Sequence, residues 1–389
     1  MKGRVEKKFN VRIVNKIGEI DREAWDRLLN GGSPFMKWDW LDCLEQTCCA
    51  SPKQGWSPHH VIVEREEKII AACPMYLKSH SMGEFVHDHE WAWYASRAGI
   101  EYYPKMLVGV PFTPVTGTRI LTDGKENRTQ LIQLIGQVLI QISKENKISS
   151  AHVNFCLEDE MEALKQVGFM HRVGLQYHWQ NQGFQSFDDY LNSFRSDRRT
   201  KIKKERREVQ QQGITIRTVE GDELTLEMMH TIFRLYKHHV DQHIYGRQYL
   251  KLEFFQELLR RFRPHICLII AEKESRVIAG TFNVQDKSTL YGRYWGAFEE
   301  HRFLHFNVCY YDAIEHCIRK GMERFEAGAG GSFKRLRGLE PQETGSVHFI
   351  LHQGFKRALQ EYLKEEKIYK VSEQESMLER SPLKKVPGS

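Results

Sequence analysis

The sequence predicts an α+β protein, a mixed sheet with helices packed on it, built as two similar domains in tandem. Three observations carry this. The chain has 389 residues, more than one ordinary hydrophobic core organises. Two apolar hairpins share one pattern, VIVEREEKIIAAC at 61–73 and LIIAEKESRVIAGT at 268–281. Each has an apolar strand, a charged turn, then a basic residue followed by two aliphatic and two small residues. Finally, each hairpin is followed by further strands, one long helix and a strand: 127–145 then 151–156 in the first half, 304–320 then 324–327 in the second. A helix crossing between strands makes their pairing parallel within an otherwise antiparallel sheet.

Composition narrows the class. The chain is 41% hydrophobic and 28% charged, and it has no apolar run of the roughly 18–20 residues that a membrane span needs. The start, MKGRVEKKFNVRIVNKIGEI, has no apolar core and is not expected to be a signal peptide. The eight cysteines form no CxxC pair, and a reducing cytoplasm is the expected setting. A net charge of +6 permits a polyanionic partner without requiring one.

The elements follow in order. Residues 21–30 predict a short helix stopped by Gly31, Gly32 and Pro34; 38–48 predict a second, with Trp40, Leu41 and Leu44 on its apolar face. Strands are expected at 60–64 and 68–77. The cluster GEFVHDHEWAW at 83–93 reads as extended, with His87 and His89 on one face and Asp88 on the other. A loop through Tyr102 and Tyr103 leads to the strand MLVGV, and PFTPVTG at 111–117 makes a proline-rigid turn. Apolar patterning lapses around 180–185, where a domain boundary is expected: 1–182 and 183–360, with a polar tail at 361–389. Residues 188–212, 223–239 and 247–262 predict helices.

The stretch from Tyr291 to Gly338 is the densest. A strand ends at Gly296. The helix from Leu304 sets Phe306, Cys309, Tyr310, Ala313 and Cys317 on one face, and Gly321 stands at its C-cap. A strand at 324–327 precedes Gly328, Gly330, Gly331, Lys334, Arg335 and Arg337. A strand feeding a helix across a tight turn points free N–H groups at an anion.

These segments carry a resemblance. The order hairpin, strand, helix, strand resembles the GNAT acyltransferase fold, where acyl-CoA pyrophosphate lies at the helix start beside splayed strands. Two such folds in tandem resemble the Fem-type aminoacyltransferases that build peptidoglycan cross-bridges. GWSPHH, PMYLKSHSMGEFVHDHEWA, YYPKMLVGVPFTPVTGTRIL, the 291–338 stretch and SVHFI, together spanning about residues 35–350, are similar to FemAB-like N-acyltransferases. Members often carry AQGEHK where this chain has AGGSFK at 329–334, so no role for that Glu-His pair passes to this chain. The resemblance implies two tandem GNAT-like domains and transfer of an acyl or aminoacyl group to an amine. The donor would be acyl-CoA or aminoacyl-tRNA, and the acceptor a small molecule or a peptide. No metal is implied. The competing class is a non-catalytic RNA- or polyanion-binding module of the same fold.

Candidate residues follow. Amine attack needs a proton acceptor, an oxyanion donor and an acid for the leaving group. Glu326 or Asp88 is expected as base, Tyr311 as acid, and His305 beside them. Tyr310, on the apolar face, reads as core. Asp88 reads equally as a buried carboxylate paired with Lys105 or Arg119. Trp91, Tyr103, Lys105, Thr113, Arg293, Trp295, Lys334 and Arg337 are expected to bind substrate. A His-x-His pair at 87 and 89 can bind metal, but the resemblance rests more on Asp88 and Trp91, so none is expected. The loop GAFEEHRFLHF places Glu299 and Glu300 where a pyrophosphate would sit, which disfavours acyl-CoA. The run 194–213 holds eight basic residues against Asp197, Glu205 and Glu208. Arg198, Arg199, Lys203 and Arg206 are its expected contacts to an anionic donor, against the plain reading of a solvated face.

Overall fold

The computed structural model describes residues 9–242, 246–328 and 330–384, without the side chain of Ser332. Residues 1–8, Ala329 of the AGGSFK segment, and residues 385–389 of the expected tail lie outside the described residues. β1 (Asn10–Val14) leads through α1 (Arg22–Asp26) and α2 (Trp38–Gln46) to β2 (Trp56–Pro58), β3 (His60–Arg65), β4 (Lys68–Cys73) and β5 (Met75–Lys78). Then come α3 (His89–Arg97), β6 (Lys105–Val108), β7 (Leu121–Thr122), α4 (Arg128–Asn146), β8 (Ser150–Cys156), α5 (Glu158–Gln166) and β9 (Met170–Gln180). α6 (Phe187–Asn192) and α7 (Ser196–Gln211) precede β10 (Ile214–Glu220), α8 (Leu226–Asp241), α9 (Leu252–Arg261), β11 (Ile266–Lys273), β12 (Arg276–Gln285) and β13 (Thr289–Ala297). α10 (Leu304–Phe306), a π-turn at Asn307–Tyr311 and α11 (Asp312–Lys320) run on as one helix; β14 (Arg324–Glu326), β15 (Glu340–Ile350) and α12 (Gln353–Glu379) complete the chain.

The chain divides into two compact units, Met1–Gly174 with Thr344–Lys370, and Leu175–Glu343 with Val371–Ser389. The cuts fall inside β9, β15 and α12, so the expected linear division at 182 and 360 differs from the observed one. The reason is strand pairing. In the first unit, β8 is flanked by residues 345–350 of β15. In the second, β14 is flanked by residues 178–180 of β9. Each unit's short parallel strand would otherwise leave an open edge, and a strand from the far half of the chain closes it. The polar tail at 361–389 begins as helix: α12 runs to Glu379 and, within the tail, buries Leu363.

The first unit pairs β1, β3, β4 and β7 antiparallel, and β2, β5, β6 and β8 in a second set in which β6 and β8 are parallel. The second pairs β10, β11, β12 and β13 antiparallel, with β14 parallel to β13. In each, one long helix lies on the sheet. α4 turns Leu131, Ile132, Ile135 and Leu139 onto Val61, Val63, Ala151 and Val153. α11 turns Ala313, Ile314 and Cys317 onto Cys267, Ile269, Leu290 and Phe325.

The two hairpins agree residue by residue. Each turns on two left-handed residues, Glu66 and Glu67 (φ 50° and 62°) in one, Glu274 and Ser275 (φ 50° and 59°) in the other, the mirror-image turn whose twist suits a hairpin. Each has its bulge at the same step, between Val63 and Glu64 and between Ala271 and Glu272. Ile70 and Ile278 are the skipped residues. The match extends to the third strand, where Ala71 faces Thr122 and Ala279 faces Ala297. The tandem GNAT-like architecture is therefore repeated down to its irregularities.

Local expectations fail in three places. The 83–93 cluster is a loop ending in a helix, with Asp88 at the N-cap of α3, so the strand-face relation of His87 and His89 does not arise. The helix expected at 188–212 breaks at residues 193–195 into α6 and α7. Gly296 does not end β13, which continues to Ala297. A Cβ there would lie 2.1 Å from the Leu235 carbonyl oxygen, so glycine is needed for the close approach of α8.

Candidate active site

In the second unit β13 and β14 run parallel, Thr289–Tyr291 beside Arg324–Glu326, and then part. A bulge makes Arg293 the extra residue on β13: Asn283 faces Gly292 while Phe282 faces Tyr294. Bulges re-aim side chains and bend a strand away from its neighbour. In the gap lies a cavity of about 270 Å³, lined by Arg293, Trp295, His305, Cys309, Tyr310, Phe333 and Lys334, with Thr281 and Asn283 below. A second cavity, of about 530 Å³, shares the Trp295 and His305 side chains and adds His239, Phe298, Glu299 and Glu300.

The first unit has the same parting strands but a different filling. Met106–Val108 pair in parallel with Ala151–Val153. Val108 and Thr122 occupy the registers of Gly292 and Ala297. Between them the first unit inserts residues 109–121 where the second has only 293–296. That insertion covers the free edge of β8: the Gly117 N–H donates to Phe155 O (3.0 Å) and Arg119 Nε donates to Asn154 O (2.8 Å). Phe112, Val115 and Ile120 are buried. By register, the carbonyl that Arg119 caps corresponds to that of Gly328, which accepts from Lys334 Nζ at 2.7 Å. In the first unit a buried guanidinium seals the position; in the second an ammonium lines a cavity.

Electrostatics single out Lys334. It is buried, and that burial brings its pKa down to about 8, because a cation loses hydration that a carbonyl only partly replaces. His305 is brought down to about 4, by burial first and then by His239, Arg337 and Lys334. Cys309 and Tyr310 are pushed upward by burial. At neutral pH the cavity therefore holds cations, a neutral imidazole, a thiol and a phenol, with no carboxylate among its lining residues.

Of the expected second-unit residues, Arg293, Trp295, His305 and Lys334 line this cavity. Glu326 does not. On β14, Phe325 and the following Ala327 face it, and alternation turns Glu326 away toward Arg324 Nε (3.0 Å) and His178 Nε2 (3.8 Å). Tyr311 leaves its expected place, whereas Tyr310, buried in the core as expected, also lines the cavity. The π-turn widens the helix by one residue, so Tyr310 reaches the cavity and Tyr311 enters the core, its hydroxyl donating to Glu205. Arg337 joins the same buried carboxylate (3.3 Å) and lies 3.5 Å from the Phe306 ring centroid.

The first-unit residues form a closed polar core. Lys105 Nζ contacts Asp88, Glu84 (2.8 Å) and the Ser81 hydroxyl (3.0 Å). Tyr102 donates to Asp88 (2.6 Å), and Tyr103 shares a hydrogen bond with Ser81 (2.7 Å). Burial opposes the Asp88 charge, yet Lys105 and His152 hold its carboxyl well below the usual range, unsuited to accept a proton at neutral pH. Trp91 packs edge-on against His348, and the Thr113 hydroxyl donates to Pro111 O (3.0 Å). Asp88, Lys105, Trp91, Tyr103 and Thr113 all belong to this unit, and none lines the β13–β14 cavity. Among the described residues, the group able to bring three metal ligands together is Glu220, Cys267 and His316, which includes neither His87 nor His89.

The basic helix α7 divides its charges by face. Arg198, Ile202, Glu205 and Val209 turn inward at helical spacing. Arg198 donates to Leu336 O (2.6 Å) and pairs with Glu205. Arg206 pairs with Glu315 (2.5 Å) and stacks on Phe187. Arg198 and Arg206 thus hold the unit together rather than facing outward. Arg199 contacts Asn192 (3.3 Å). Lys203, Lys204 and Arg207 are exposed, Lys203 near an exposed Asp188 at 3.5 Å.

Thr281, Asn283, Cys309 and Phe333 escaped the sequence reading. A signal for the first two was present: two polar residues two apart on an otherwise apolar strand share one face.

A family model described as FemAB-like, peptidoglycan biosynthesis/recognition, matches residues 16–385. The chain belongs to the FemAB-like family. Among solved structures, this FemAB-like chain is similar to FemX, with a TM-score of 0.55 at 13% identity, covering 88% of this chain and 98% of that one. It is similar to L-PGS from Bacillus licheniformis (TM-score 0.52, 8% identity, 84% and 91% covered). It also resembles the C-terminal domain of a putative lysylphosphatidylglycerol synthetase from Agrobacterium fabrum (TM-score 0.53, 11% identity, 88% and 96% covered). No curated protein matches it in sequence. Family and fold make this FemAB-like protein an acyltransferase. No helix among its described residues is long and apolar enough to cross a membrane.

Proposed function

We propose that the β13–β14 cavity of the second unit transfers an aminoacyl group from aminoacyl-tRNA to an amine of a peptidoglycan precursor, by direct attack, in the cytoplasm. The observation that carries this is Lys334: a buried ammonium between two parting strands, beside Arg293 and with no lining carboxylate. The amine attacks the ester carbonyl, and negative charge grows on its oxygen. Fixed cations in a half-dry cavity stabilise that charge far better than water does. Cys309 supports direct attack, since burial holds its thiol protonated, unfit to form an acyl intermediate. Glu299 and Glu300 support the tRNA ester over acyl-CoA: an ester-linked nucleotide need not place a pyrophosphate at the start of α10 as CoA does. The family's description, peptidoglycan biosynthesis/recognition, supports the acceptor class.

The test offers the protein total tRNA charged with labelled amino acids, or labelled acetyl-CoA, together with amines and peptidoglycan precursors. Label that survives mild alkali is amide, because the ester does not survive. Amide from charged tRNA is expected. Amide from acetyl-CoA alone refutes the donor assignment, and none from either refutes the transferase assignment at this site.

A related expectation concerns α7. Lys203→Glu with Arg207→Glu should weaken tRNA binding and flatten the plot of log affinity against log salt by about 1–2, at roughly 0.7–0.9 per lost phosphate contact. An unchanged salt slope assigns the strip to solvent.

A further inference from the structure

We infer that His305 takes the proton from the attacking amine and returns it to the leaving oxygen, standing in the wall between an inner acyl cavity and an outer amine cavity. This rests on the function proposed above and assigns the proton acceptor that Glu326, facing away, does not supply.

Three observations converge. Of the described residues, His305 and Trp295 line both cavities, and of these two only His305 titrates. Its ring is held by aromatic faces, with Trp295 at 5.1 Å, Tyr310 at 5.5 Å and Phe333 at 5.9 Å between centroids. Yet neither ring nitrogen has a hydrogen bond to a described protein group, and a half-buried imidazole whose nitrogens no described protein group occupies is placed for a substrate proton. The charged and titratable groups that share its cavities are Arg293, Cys309, Tyr310 and Lys334 on the inner side, and His239, Glu299, Glu300, His301 and Arg302 on the outer. Burial first, then His239, Arg337 and Lys334, keep the ring neutral against Glu299 and Glu300 on the outer side, so a lone pair is available at pH 7. An oxyanion forming against Lys334 offsets one of these cations, which makes the ring more basic as the reaction proceeds.

The step balances. The amine nitrogen bonds to the acyl carbon, and the carbonyl electron pair moves to oxygen. The proton on the new ammonium passes to the His305 ring. The carbon–oxygen ester bond then breaks, the leaving oxygen takes the proton from the imidazolium, and amide and alcohol result.

The test uses glycine p-nitrophenyl ester as donor and methoxyamine, a weak base, as acceptor, with the amide read by mass spectrometry. His305→Ala should lower kcat by about 10²–10³ with KM within twofold. Added imidazole should restore part of the loss, and the acid limb near pH 4 that remains after rates are divided by the free-base fraction of methoxyamine should disappear. His305→Gln, similar in volume and polar, should lose as much. A Gln variant at the wild-type rate shows that the ring only fills space and overturns the assignment, as does an Ala variant that keeps the acid limb after correction for the free-base fraction of methoxyamine. Undiminished turnover in both variants removes His305 while leaving the transferase standing. A wild type that forms no amide removes both.

Discussion

Lys334→Met should abolish transfer and stabilise the fold in the same stroke. Loss of a preorganised cation from an oxyanion site lowers the rate by about 10²–10³. The stability side follows from burial. An ammonium brought from 10.5 down to about 8 carries an unfavourable energy of about 3 kcal/mol at 1.36 kcal/mol per pH unit, an order-of-magnitude figure. Here the folded pKa lies below the unfolded one. Between about 8 and 10.5 the unfolded chain binds more protons than the folded chain, so wild-type stability rises with pH across that window. Below about 8 the cost is present in full. Methionine has a similar length and no charge, so the variant's advantage should be about 1–3 kcal/mol at pH 7 and should vanish near pH 10.5. Denaturant unfolding at pH 7, 9 and 10.5 reads this directly. A variant less stable than wild type at pH 7 contradicts the account of burial, and an undiminished rate contradicts the role. In the wild type, with an acceptor amine that stays unprotonated, the rate should fall as pH rises through about 8, because the neutral lysine no longer opposes the oxyanion.

Lys105→Met should be among the most damaging single changes in the first unit while touching no residue of the proposed site. Lys105 is wholly buried and joins Asp88 and Glu84. Removing it leaves two buried carboxylates with Lys78 as the remaining cation, 3.9 Å from Glu84. Breaking one side of a buried ionic cluster costs about 3–5 kcal/mol, and the wild-type stability margin of a domain is only about 5–15 kcal/mol. The sign with pH follows from Asp88, whose carboxyl is held low. It contributes stability above its unfolded pKa, near 3.8, and loses it as pH falls further. Without Lys105 that contribution reverses, so the damage should be greatest near pH 7–8 and shrink toward pH 4, where the carboxylates protonate. Adding Asp88→Asn should recover part of the loss. A fully additive double variant would mean that the pair does not interact.

The repeat was legible because hairpins declare themselves locally. Alternating apolar residues around a charged turn specify both strands and their facing, and both copies are where the pattern places them. The parallel strand after a long helix was legible for the same reason. Four residues of the cavity, Arg293, Trp295, His305 and Lys334, were found because they sit in loops and strand ends rich in glycine and aromatics. Tyr311 was misplaced because a π-turn leaves no mark on a pattern read at 3.6 residues per turn. The outward assignment of Arg198 was avoidable: Ile202 and Val209 are the only aliphatic residues of α7, and the face they define contains both Arg198 and Glu205. The exchange of β9 and β15 was not legible, since a strand's own sequence does not name its partner.

What the sequence determined by itself is the pair of GNAT-like copies, their element order, the family, and the stretch that lines most of the proposed site. Such features rest on periodicity and turn residues, which act between near neighbours. The tertiary structure alone decided which copy is open. Both contain the same parting strands, but residues 109–121 fold back along β8 and seal the first. The four residues at the matching place in the second leave room, and Lys334 with it. An insertion's length is visible in a sequence, whereas the edge it covers depends on hydrogen bonds between residues far apart in the chain.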